Sequence, residues 1–171
     1  MSPLENRPLR QWWIEGNLAG LMSAGVLLWR GRRDAHAAAG AINAPSHWVW
    51  GRKALRRNSV DLRHTLLGLA IHQASSLFWA GAYRWLLGAR PAPARVVGGA
   101  LAVSALAAVV DLKVVPERLT PGFERRLSGP SLSLVYLGFA AGLALGAAAA
   151  APRGRVACRG EATQSGTRGT A

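Results

Sequence analysis

Cys158 is the one cysteine in 171 residues, so no disulfide can form within the chain and nothing points to an oxidising compartment. Acidic residues are few: 8 Asp and Glu stand against 21 Lys and Arg, for a formal net charge of +13. Charge of either sign is sparse at 17% of residues, against roughly 25% in soluble domains. The chain carries no glycine-rich phosphate loop, no nucleophile–base pair and no His/Cys set at metal-ligand spacing. Those absences place an enzyme third among the function classes, and no cofactor or metal is expected.

What the chain does have is long uncharged runs. Half of its residues are hydrophobic, and Asp, Glu, Lys and Arg are missing from 16–29, 64–83, 96–110 and 127–152. A bilayer core takes about 20 mostly apolar residues per helix, and about 17 at the short end. The runs therefore predict an all-α integral membrane bundle of about four transmembrane helices, over about 11–29, 61–87, 94–115 and 131–151. Residues 1–11 read as a polar arm, 12–151 as the transmembrane domain, and the Gly/Arg/Thr/Ser-rich 152–171 as a disordered tail. Glu5 and the Trp12-Trp13 pair precede the first run, unlike a cleavable signal, so the first helix is expected to persist in the mature chain.

The arginines fall between the apolar runs, where lipid headgroups and topology call for them. Stacking aromatics are not interleaved with them, so nucleic acid is not an expected partner. Arg30-Gly31-Arg32-Arg33 reads as a charged stop to the first helix. The basic segment 34–60 reads as interfacial, anchored by Trp48 and Trp50. Its Ala-rich part, 35–51, is broken by Pro45 and stays open between an interfacial, a re-entrant and a fifth transmembrane reading. The weight of basic residues in the one–two and three–four connections places both termini outside.

Three constellations stand out. Gly16 and Gly20 in the first helix, and Gly138, Gly142 and Gly146 in the last, recur every four residues. Each set shares one face and suits close helix packing, within the chain or against a second copy or a membrane-protein partner. Thr65, His72, Ser75, Ser76, Trp79 and Tyr83 share a face of the second helix. A polar stripe in a bilayer turns inward, so these residues could line a small transport or proton pathway. The bland alternative is a neutral His72 hydrogen-bonded to Ser76 or to a neighbouring helix. Asn43, Ser46, His47, Asp61 and His64 bracket the one–two connection; a metal or hydrolytic site there would need a ligand spacing that they lack. Glu15 and Asp111 near helix ends are expected to pair with arginine or to reach the interface.

The run Asn43-Ala44-Pro45-Ser46-His47-Trp48-Val49-Trp50-Gly51, followed by His64-Thr65, Ser75 to Ala80 and Pro121-Gly122-Phe123-Glu124, carries a resemblance. It is similar to small bacterial inner-membrane proteins with an Asn-x-x-Ser-His-x-x-Trp-Gly signature, over roughly residues 12 to 150. That family has no assigned activity, so the likeness implies a place in the inner membrane and no chemistry. The expectation is a multi-pass, non-enzymatic accessory or structural component whose surroundings are the lipid bilayer.

Overall fold

The computed structural model describes residues 7–88 and 91–151, and every regular element among them is helical. Most of the polar arm lies outside these residues, as do the 152–171 tail and Cys158. Helix α1 spans Arg7–Asp34, with Pro8 in its first turn, where a missing N–H costs nothing. The Arg30–Arg33 run does not stop it. Arg30 donates to Asp34 one turn on, at 3.0 Å, and the helix ends only where His36 takes a left-handed φ of 51°.

The next segment is made of short pieces: α2 (Ala38–Asn43), a 3-10 turn (Ala44–Ser46), α3 (His47–Trp50) and a second 3-10 turn (Gly51–Arg56). Six helical residues rise about 9 Å, so a fifth spanning helix is ruled out. Residues 39–47 do not lie open on the surface of the chain: all are buried among α1, α4 and the 123–127 turn. Gly68 allows this: a Cβ there would run into the carbonyl oxygen of Ile42.

Helix α4 (Leu67–Leu87) is led in by a π-turn (Leu62–Leu66) that the Asp61 carboxylate caps, accepting the His64 N–H at 2.7 Å. Gly88, at φ 69°, closes it. Helix α5 (Pro93–Val109) opens on proline and runs into a second π-turn (Val110–Val114) just ahead of Pro116. After the turns Glu117–Leu119 and Phe123–Arg125, α6 covers Gly129–Ala150.

The four long helices run up, down, up, down, and pack around the bundle in the order α1, α4, α5, α6. Two apolar clusters hold them. One, near the short 88–92 connection, joins Ala19, Ala80, Tyr83, Leu87, Val103 and Leu143; the other, near the long connections, joins Leu27, Ile42, Phe123, Leu127 and Val135. The glycine faces pack inside the chain. Gly16 lies against Leu77 and Ala80 of α4, Gly20 against Gln73, and Gly138, Gly142 and Gly146 against Val26, Ala19 and Glu15 of α1. A second copy therefore finds neither face free. Two helices, Pro93–Val114 and Gly129–Ala150, are long and apolar enough to cross a membrane.

Candidate functional site

The polar residues that separate α1 and α4 from the two more apolar helices are turned toward each other. Arg84 donates to Gln11 Oε1 at 2.8 Å and approaches the Glu15 carboxylate at 3.2 Å. Glu15 is 0% exposed, and that approach lacks hydrogen-bond geometry, so both of its oxygens are without a hydrogen-bond donor among the described residues. Pairing with arginine was expected; complete burial was not. Further along, Trp12 Nε1 donates to the Leu77 carbonyl at 2.7 Å, and Gln73 Nε2 to the Gly16 carbonyl and Asn17 Oδ1, each at 3.2 Å.

His72 is the last rung. Its Nε2 lies 3.0 Å from Ser23 Oγ and 3.2 Å from the Gly20 carbonyl oxygen on α1. A carbonyl only accepts, so Nε2 carries the hydrogen and Nδ1 is left as an acceptor without a partner among the described residues. The neighbouring-helix alternative is thus the geometry found. Ser76 donates instead to the His72 backbone carbonyl at 2.9 Å, within its own helix.

Beside this rung is a cavity of about 510 Å³. Helices α4 and α5 converge near the 88–92 connection, where Tyr83 donates to the Val96 carbonyl at 3.0 Å and Leu87 packs on Gly99. They part toward the other end, and the gap is the cavity. Its α4 wall is His72, Ser75, Ser76 and Trp79; α5 adds Ala107, Val110 and Asp111, and α6 adds Tyr136 and Phe139. Pro45, Trp48, Leu119 and Pro121 form the floor, pinned by Trp48 Nε1 donating to the Thr120 carbonyl at 2.9 Å. Phe78, which lines the cavity from α4, is 69% exposed, so the cavity reaches the outer surface there. Tyr136 donates its hydroxyl to Asp111 Oδ2 at 3.1 Å, so Asp111 pairs with a tyrosine rather than an arginine.

The α4 stripe divides three ways. His72, Ser75, Ser76 and Trp79 reach the cavity. Thr65 does not; it donates to Asn43 Oδ1 at 2.7 Å near the long-connection end. Tyr83 does not either, since it is 0% exposed in the apolar cluster that closes the cavity above. A continuous polar track along α4 is therefore absent among the described residues.

The interfacial residues form a structural network instead. Asn43 Nδ2 donates to the carbonyls of Arg57 and Ser59, at 3.1 and 2.9 Å, which draws the connection back over α2. The Asp61 N–H donates to Thr65 Oγ1 at 3.1 Å, and the His64 ring lies 2.9 Å from the Asp61 carboxylate. Ser46 donates to the Asn43 carbonyl at 2.7 Å, and His47 Nδ1 sits 2.8 Å from the Ala44 carbonyl. Each group is committed to a local partner, and no three His, Cys, Asp or Glu side chains converge among the described residues. Sequence reasoning missed Tyr136, Ser23, Trp48 and Phe139, which no periodic signal marks as a set.

Comparison with protein-family models, with curated proteins and with solved structures finds no match to this chain.

Proposed function

We propose that the chain is a four-span bacterial inner-membrane protein that serves as a non-enzymatic binding component for an apolar or amphipathic small molecule drawn from the bilayer. Three features support the membrane setting. The long helices carry large apolar side chains outward, among them Leu21, Phe78, Leu101, Leu106, Leu137 and Leu145. Tryptophans stand at both ends: Trp13 and Trp85 at one, Trp29 and Trp50 at the other. Arg30 and Arg33 lie over the Trp29 ring and Arg63 over Trp50, as at a headgroup layer. Composition alone ranks α1 and α4 below α5 and α6, but their polar groups face each other and leave an apolar outer side.

The observation that carries the binding reading is the cavity: about 510 Å³, lined mostly by apolar side chains and reaching the exposed ring of Phe78. The test is extraction of the membrane with an amphipathic polymer, without detergent, and mass spectrometry of the small molecules that accompany the chain. Ser75 lines the cavity and makes no hydrogen bond among the described residues, so Ser75→Phe fills the space at little structural cost. The wild-type chain is expected to carry a bound species that Ser75→Phe loses while keeping the wild-type helical circular dichroism. An empty wild-type chain, or an equal load on the variant, overturns the reading.

A further inference from the structure

We propose that the cavity ligand is a lipophilic cation, with Asp111 as its counter-charge; this rests on the binding reading above and names its ligand class. Among the described residues no Lys or Arg lines the cavity, and the one carboxylate that does is Asp111. Tyr136 occupies Asp111 Oδ2, while Oδ1 has no hydrogen-bond donor among the described residues. A carboxylate among apolar walls is costly unless a positive charge meets it. No described Lys or Arg meets it, and a cationic ligand would supply the missing charge.

The walls agree with that charge. Trp48, Phe78, Trp79, Phe123, Tyr136 and Phe139 line the space, and the negative face of an aromatic ring attracts a desolvated cation. An anion would meet the same faces and a carboxylate with no guanidinium or ammonium to hold it. The Ser75 hydroxyl is a further acceptor for a cation that bears N–H groups. Access fits as well: the cavity reaches Phe78, whose ring lies exposed on the apolar outer surface of α4.

Two probes of nearly equal size and shape but opposite charge decide the matter: tetraphenylphosphonium and tetraphenylborate. Their binding to the purified full-length chain in zwitterionic nanodiscs is read by equilibrium dialysis. The phosphonium is expected to bind at one site at least about tenfold more tightly than the borate. Asp111→Asn keeps an acceptor for Tyr136 and is expected to erase that gap, while Glu117→Gln, which removes an exposed carboxylate outside the cavity, retains it. Equal affinity for the two probes, or a gap that survives Asp111→Asn, overturns the proposal. Failure of both probes on a chain that still co-extracts a neutral species removes the cation and leaves the binding reading. Failure on a chain that co-extracts nothing removes both.

Discussion

Asp34 illustrates how single side chains seal the long-connection end. Its Oδ2 accepts the Ser128 N–H and hydroxyl, each at 2.9 Å, while Oδ1 takes Arg30, so the end of α1 is tied to the start of α6. The Ser131 hydroxyl, the Ser128 amide and Arg30 together hold the carboxyl down from an ordinary 3.8 to about 2. It stands more than a helical turn past Trp29, beyond the segment taken to cross the bilayer. A depressed folded-state value means that the ionised form is favoured by folding. Its contribution is complete above the ordinary value and fades as pH falls from about 4 toward 2. Asp34→Asn is therefore expected to melt below the wild-type chain at pH 6, and the difference to vanish near pH 2, as read by tryptophan fluorescence in detergent. A difference that persists at pH 2 would assign the effect to packing instead of charge.

At the scale of elements, the closest pair is α1 with α6. A Cβ at Gly142 would come within 2.7 Å of the Leu18 carbonyl oxygen and the Ala19 nitrogen, backbone atoms that cannot swing aside. Gly142→Ala is expected to cost about 1–3 kcal/mol, the range for overpacking a filled interface, measured by unfolding in a denaturing detergent series. Gly98 of α5 has nothing within 4 Å of such a Cβ, so Gly98→Ala should be neutral or mildly stabilising. The mass of the solubilised particle should not change with Gly142→Ala, because that face already lies inside the chain.

The sequence makes the long helices legible, since charge-free runs and proline starts mark them locally. It does not reveal that residues 39–47 are buried. That depends on Asn43 reaching the carbonyls of Arg57 and Ser59 and on the missing side chain of Gly68, which are relations across the fold. The stripe on α4 was half legible for a similar reason. Thr65 shares a face with His72 but stands about 10 Å of helix rise below it, outside the cavity. Tyr136 was invisible because one tyrosine in an apolar run carries no period.

For the whole molecule, the two ends differ in charge. The long connections carry Arg30, Arg32, Arg33, Arg52, Arg56 and Arg63, whereas the 88–92 connection is short. By the positive-inside bias, the long connections face the cytoplasm in the proposed bilayer. In a Cys158→Ser background, Ala92→Cys should react with a membrane-impermeant maleimide on intact cells, and Arg118→Cys only after lysis. Labelling of both from one side would break the four-span reading; the reverse pattern would keep the spans and invert the orientation.

The facing polar rungs of α1 and α4 also bear on how such a chain is made. An acidic or basic group at the centre of a helix costs about 2.5–3.5 kcal/mol when the insertion machinery tests that helix alone. Glu15 and Arg84 stand toward one end of the bundle, where that cost is smaller, and each is the other's remedy. In the proposed bilayer α1 leaves the ribosome before α4, so Glu15 would stay unpaired until α4 is translated, and α1 would settle in lipid most favourably together with α4.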